Sequence, residues 1–180
     1  MTMMADLSGK HIIVTGASSG LGAHFARVLS GAGARVALVA RRKDRLAAIA
    51  DEIAGRGGAR PLIAEADVGS VASIRAAVAA IVAEAGTPDG LINNAGIVEE
   101  ARALDVTEES WDAVIDTNLK GAWFFASTVA SAMIEAGRGG SIVNIASITG
   151  LRPRRRGRAL RGFKGRPRAY DPAARRRMGA

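Results

Sequence analysis

Short apolar runs alternate with longer segments of helical period from the N-terminus to about residue 146. The runs HIIVT (11–15), RVALVA (35–40), PLIAEA (61–66), GLINNA (90–95) and SIVNIA (141–146) are rich in Val and Ile and bounded by Gly, Pro or Asp, as strands are. Between them, over 21–33, 42–58, 70–86 and 107–140, apolar residues recur at i, i+3 and i+4. Several of these segments end in Gly, which accepts the backbone conformation that closes a helix. Strands alternating with helices of this length predict right-handed βαβ units. They form a parallel sheet covered on both faces, with a fifth strand buried like the others. No shorter repeat interrupts the order before residue 151.

The pattern stops at Gly150, and from Pro153 the chain is dense in arginine without apolar periodicity. Charge follows the same boundary. Residues 1–150 carry 13 Lys/Arg against 16 Asp/Glu, whereas residues 151–180 carry 12 against 1, so the formal +8 of the 180-residue chain resides in its tail. One domain with a real core fits this length. The expected organisation is a domain over 1–153 that is truncated after its fifth strand, then a basic irregular tail over 154–180. With no Cys and two His, neither a disulfide framework nor a convincing zinc site is available, and no metal is expected. The start MTMMADLSGKHIIVTG lacks the charged and apolar regions of a signal peptide, and no apolar stretch approaches the roughly 20 residues that cross a bilayer. A soluble, cytoplasmic protein with no membrane partner is expected.

The first strand runs straight into TGASSGLGAHFA, which sets Gly16, Gly20 and Gly22 at a strand-to-helix turn. Glycine there lets the backbone approach a pyrophosphate while the helix N-terminus supplies N–H donors and positive dipole. In this context the α/β order predicts a Rossmann-like doubly wound sheet and a dinucleotide ligand. About 20 residues on, a fold that prefers NAD carries an acid for the ribose hydroxyls. Here Ala40 is followed by Arg41 and Arg42. Nothing in that stretch repels a 2′-phosphate, and Arg41 can pair with one in bidentate fashion, so NADP is preferred over NAD. A solvated helix start is the other reading of the two arginines.

With TGASSGLG, ADV (66–68), NNAG (93–96), TNLKG (117–121) and IVNIAS (142–147) in this order and spacing, the chain resembles the short-chain dehydrogenase/reductase family over about residues 8–153. The resemblance implies an oxidoreductase that moves hydride between NADP(H) or NAD(H) and a small ketone or secondary alcohol. It implies that Gly16, Ser18, Ser19, Gly20, Leu21 and Gly22 hold the cofactor. Asp67 and the backbone of Val68 are expected to hold the adenine, and Asn94, Ala95 and Gly96 to pack near the sugars. Without it, Asp67 reads as a helix cap and NNAG as a strand-end turn. Two positions match the family's catalytic pattern. Asn118, a poor filler in an otherwise apolar helix, is implied to distort that helix and hold a relay water. Ser147, after the fifth strand, is implied to hydrogen-bond the substrate carbonyl oxygen as a charge-stabilising donor.

The family also supplies a proton from a Tyr, with a Lys one helical turn later that lowers the phenol's pKa and grips the ribose. That pair is expected to begin near position 160, which holds Leu160. The only tyrosine, Tyr170, lies too far along, with Pro172 in the following turn and Ala174 at i+4, and Lys164 has no partner phenol. His11 and His24 read as a strand-edge and a helix-surface residue rather than replacement acids. Activity is therefore expected to be poor or lost.

Three readings of residues 151–180 remain. They can be an arm for nucleic acid or an acidic membrane, a solvated tail unable to bury apolar area, or an out-of-frame translation. The third fits best, so no specific nucleic-acid partner is expected. If the codons for LRGFKG are read one nucleotide later, the genetic code permits YAASK, with a tyrosine at position 160 and a lysine at position 164. The chain would then lack the catalytic helix, two strands, the substrate loop and the helix that pairs family subunits. An unpaired apolar edge on the fifth strand and weak solubility follow, with residual nucleotide affinity from residues 12–96 and the homo-oligomer interface lost.

Overall fold

The computed structural model describes residues 5–147. The tail expected over 154–180, including Leu160, Lys164 and Tyr170, lies outside the described residues. The sheet has five parallel strands in the order β3-β2-β1-β4-β5: β1 (His11–Thr15), β2 (Arg35–Ala40), β3 (Leu62–Glu65), β4 (Gly90–Asn93) and β5 (Ser141–Asn144). β1 is central, and its Ile13 pairs with Ala37 of β2 on one side and Leu91 of β4 on the other. The fold is the Rossmann-like parallel sheet that the alternation of strand and helix patterns predicts.

Successive side chains of a strand point to opposite faces, and both faces here are apolar. Ile12, Val14, Val36 and Leu38 meet Ala23 and Ala26 of α1 (Gly20–Gly31) and Leu46, Ile49 and Ile53 of α2 (Lys43–Gly55). Ile13, Ala37, Val39 and Leu91 meet Ile74, Val78 and Ile81 of α3 (Val71–Ala85) and Phe125, Val129 and Met133 of α5 (Ala122–Glu135). Phe125, Ile13 and Leu91 are fully buried, so truncating Phe125 to Ala costs about 3–5 kcal/mol. The Ser70 hydroxyl accepts from the Ser73 N–H to cap α3.

Two expectations change. The segment 107–140 is not one regular helix. It divides into α4 (Glu108–Ile115), a π-helical segment (Asp116–Gly121) and α5. The interruption falls at Asn118, where the resemblance implied a distorted helix, and at Gly121 the helix backbone lies against the Val68 carbonyl, where any Cβ would collide. The fifth strand is not buried either. All four residues of β5 are exposed, Ile142 at 36% and Val143 at 46%. The reason is position, since β5 pairs only with β4 among the described residues and forms that edge of the sheet.

Candidate functional site

At the carboxyl edge of the sheet the chain leaves β1 through Gly16, whose φ is +65°. An added Cβ there would sit 2.8 Å from the Ala95 Cα and 3.0 Å from the Asn94 Nδ2. At Gly22 it would strike the Gly16 carbonyl oxygen. The turn therefore presses backbone on backbone, which only glycine allows. Thr15, the polar end of β1, organises it. Its hydroxyl accepts from the N–H groups of Asn94 and Ala95, both at 3.0 Å, and donates to the Asn93 Oδ1 at 3.4 Å. The Asn94 amide donates back to the Thr15 carbonyl at 3.0 Å. TGASSGLG and NNAG thus form one unit across β1 and β4.

Arg42, just before α2, reaches across this turn: its Nη2 donates to the hydroxyls of Ser18 at 2.9 Å and Ser19 at 3.2 Å. Ser19 is the N-cap of α1 but makes no cap bond with its side chain. Gly20 starts the helix with φ +55°, and Leu21 beside it is 59% exposed. The turn opens onto a cleft of about 320 Å³ whose walls include Gly16, Ser18, Arg41, Arg42, Asp67 and Gly96. Val68, Ala95 and Thr117 complete it.

Asp67 follows β3, and its carboxylate accepts from the Gly69 N–H at 2.9 Å, an Asx turn that leaves the side chain exposed in the cleft. The helix-cap role falls to Ser70 instead. Val68 is buried, with its carbonyl against Gly121. Asn118 is 6% exposed, and its side chain clamps one residue of the loop after β4: Oδ1 accepts from the Ile97 N–H and Nδ2 donates to the Ile97 carbonyl, both at 2.8 Å. Its amide oxygen and nitrogen each make one bond to that loop, which fixes the orientation of the side chain. A second amide supports the arrangement. The Asn93 Nδ2 donates to the Ala122 carbonyl at 2.6 Å and to the Asn144 Oδ1 at 3.1 Å, joining β4, α5 and β5. Ser147 follows β5 at the same edge and is half-buried, after Ile145 donates to the Asn93 carbonyl at 3.0 Å.

The structure gathers the glycine turn, Arg41, Asp67, Val68, Ala95 and Gly96 around one cleft. It adds Arg42 and Thr117 to the cleft wall, and Thr15 and Asn93 to the hydrogen-bond network that joins β1 and β4, roles the motifs did not assign them. Thr15 and Asn93 carried a signal, being polar residues that end apolar strands, while the aim of Arg42 has none in one dimension. His11 takes no part. It is the buried first residue of the central strand, at the opposite edge from the cleft, rather than a residue of an exposed strand edge, because Arg35 and the Asp89 turn flank it. Burial, with Arg35 nearby, pushes its pKa below the usual 6.5 against the opposing pull of the Gly86 carbonyl and Asp89. The Gly86 carbonyl is near but outside hydrogen-bond geometry, so neither ring nitrogen has a partner. His24 is exposed on α1.

The profile of the family described as short chain dehydrogenase matches residues 10–159. D-threitol dehydrogenase of Mycolicibacterium smegmatis is 40% identical over 141 residues, covering 78% of this chain and 54% of that protein. A short-chain type dehydrogenase/reductase from Mycobacterium marinum superposes with a TM-score of 0.81 at 39% identity, over 84% of this chain and 61% of that one. L-sorbose reductase from Gluconobacter frateurii, solved with NADPH and L-sorbose, gives a TM-score of 0.80 at 31% identity, over 86% and 59%. The chain thus spans little more than half the length of the proteins it matches. The glycine turn, the asparagine-clamped π segment and these likenesses together show that the chain belongs to the short-chain dehydrogenase family.

Proposed function

We propose that this chain holds NADP(H), in preference to NAD(H), in the cleft between the glycine turn and β2, as the nucleotide-binding half of an oxidoreductase for a ketone or secondary alcohol. The residues present fit that cofactor. Gly16 and Gly22 let the turn close against Ala95 and on itself, Gly20 has open space where a Cβ would sit, and a pyrophosphate can meet backbone N–H groups at the start of α1. Arg42 carries the preference. Its guanidinium donates to two neutral hydroxyls, and a 2′-phosphate arriving there gains a charge-assisted, bidentate contact. Arg41 lines the same cleft as a second cation. Asp67 and Val68 would hold the adenine, and Asn94, Ala95 and Gly96 would pack near the sugars, a reading supported by the cleft position of all but Asn94.

When bound, the nicotinamide supplies or takes up the hydride. Ser147 would donate to the substrate oxygen, and the π segment pinned by Asn118 would present backbone groups to a relay water. The sequence holds Leu160 where the family's proton-donating tyrosine would stand, and binding without turnover is expected. The small-molecule carbonyl substrate, and the loss of the family's homo-oligomer contact, are parts of this same reading. The likeness to an enzyme solved with NADPH supports the cofactor class.

Calorimetric titration of the full chain with NADP+ and NAD+ tests the reading. NADP+ should bind more tightly, and Arg42→Ala should cost NADP+ about 10- to 100-fold while barely moving NAD+, the scale of a lost hydrogen-bonded charge pair. A folded chain that binds neither nucleotide, or binds both equally, refutes it. The out-of-frame origin of residues 151–180 is tested separately by the coding DNA. A shifted frame that spells no Tyr and Lys four residues apart removes it.

A further inference from the structure

Among the described strands, only β5 has every residue exposed. The N–H groups of Ser141 and Ile145 donate inward to the Asp89 and Asn93 carbonyls, both at 3.0 Å. Alternation along a strand therefore turns the N–H and C=O of Ile142 and Asn144 outward, where no described strand meets them. Ile142 shares a sheet face with Leu91, and Val143 shares the opposite face with Ile92. The other edge of the sheet is guarded. β3 follows Arg60 and Pro61 and ends on Glu65, and charges and a proline discourage strand pairing. Residues 139–147, GGSIVNIAS, hold no charge and no proline.

We propose that the outer edge of β5 pairs with the same edge of a second copy of this chain, antiparallel, about a two-fold axis through Val143. The edge is complementary to itself. Ile142 and Asn144 of one chain stand opposite Asn144 and Ile142 of the other, and each pair exchanges both of its backbone hydrogen bonds. Val143 then meets its own counterpart in the intervening pair, with Cα atoms about 4.5 Å apart. The Ile92 and Val143 side chains of the two copies join into one apolar strip, and Val143, 46% exposed in the single chain, is withdrawn from water. Charge separates this occupant from others. The chain's own segment 151–168 holds nine Lys/Arg and no acid, a nucleic acid brings phosphates, and the uncharged β5 edge has a counter-charge for neither. In the antiparallel pair residue 147 of each chain lies about 26 Å from its counterpart, well past a screening length of about 8 Å, so the two basic segments start far apart. Four-residue strands bury less than the roughly 800 Å² per partner of a stable interface, and the dimer is therefore weak and concentration-dependent. The outer edge of β5 is not a wall of the nucleotide cleft, so the pairing does not rest on the nucleotide reading.

Sedimentation of the unmodified full chain is the main test, and a monomer–dimer equilibrium in the micromolar to millimolar range is expected. Val143→Cys reads the register, because the chain has no cysteine of its own. Under copper phenanthroline this variant should form a disulfide-linked dimer, its Cα separation being within disulfide reach. Ile142→Cys should link at least about tenfold more slowly, since the two copies of residue 142 stand about 7–8 Å apart diagonally. Val143→Lys and Val143→Glu should each weaken association about tenfold or more by setting like charges face to face, and an equimolar mixture of the two should restore it. If a variant misfolds, sedimentation of the unmodified chain still decides. The proposal is overturned if that chain stays monomeric at its highest soluble concentration, grows into open-ended aggregates, or loses its association on nuclease treatment. It is also overturned if residues 142 and 143 cross-link equally, if the charged variants associate as the parent does, or if hydrogen exchange at Ile142 and Asn144 is protected to the same degree at every dilution, the mark of an edge covered within one chain.

Discussion

Asn118→Asp isolates what the buried amide does. The side chain accepts from the Ile97 N–H and donates to the Ile97 carbonyl, each at 2.8 Å. Replacement by Ala leaves both backbone groups partnerless, at about 1–3 kcal/mol each if sealed from water. Ile97 is half-buried, so solvent recovers part of this, and a loss of about 2–3 kcal/mol is expected. Asp is nearly isosteric, yet ionised it can satisfy only the N–H and turns an oxygen toward the carbonyl. Protonated, it restores the donor. Its folded pKa must therefore rise above the ordinary value of about 3.9. A group raised in the folded state contributes most at low pH and loses that contribution as pH rises through the folded value. Relative to the parent chain, Asn118→Asp should cost less than about 1 kcal/mol at pH 4 and below, and about 3 kcal/mol near pH 8. Asn118→Ala should show the same deficit at both. Urea unfolding followed by tryptophan fluorescence gives these differences as midpoint shifts of about 1–2 M at unchanged slope. Equal behaviour of the Asp and Ala variants at every pH, or both within about 0.5 kcal/mol of the parent, would refute the clamp.

Gly16→Ala should lose about 2–4 kcal/mol, from the left-handed conformation at φ +65° and the 2.8 Å approach to the Ala95 Cα, and its nucleotide affinity should fall with it. An unchanged melting midpoint contradicts this. Gly121→Ala should cost at least about 2 kcal/mol by forcing the π segment off the Val68 carbonyl. A crystal structure of the variant with that segment unmoved would be inconsistent. At the amino edge, burial lowers the His11 pKa from 6.5. The unfolded chain thus takes up its proton first, and stability should decline as pH falls below about 6.5. His11→Leu should flatten that decline between about pH 6.5 and 5, as measured by denaturant titration across pH. Asp89 acts lower. The His11 N–H, then Lys10 and Arg138, hold its carboxyl below 3.8 against the cost of burial, so its contribution disappears only as pH drops through that lower value. Asp89→Asn should remove the last part of the acid transition.

Most of the scaffold was legible because its physics is local. Alternating apolar strands and helical periods gave all five strands in place, β1 and β2 with their expected bounds and the other three shortened by one or two residues at an end: 61–66 became Leu62–Glu65, 90–95 became Gly90–Asn93 and 141–146 became Ser141–Asn144. The glycine turn was legible for the same reason, since Gly16 and Gly22 answer to steric contacts no other residue tolerates. What the sequence hid depends on long-range packing. The π segment falls at Asn118, where the resemblance implied a distorted helix, but its packing, with Gly121 against Val68 more than 50 residues away in sequence, was not legible. The reach of Arg42 to Ser18 and Ser19 spans 24 and 23 positions. The burial of β5 was misread because an apolar run reads the same in a central strand as at an edge.

Equilibrium binding of NADPH to the folded full chain, followed by the fluorescence of the reduced nicotinamide and repeated with a panel of small ketones, bears most directly on the proposal that the chain binds the nucleotide without turning it over. Saturable binding, tighter for NADPH than for NADH by about tenfold or more, with no consumption of the reduced cofactor, is the expected result. Absence of binding by a chain shown to be folded, or sustained oxidation of NADPH when a ketone is added, would contradict it.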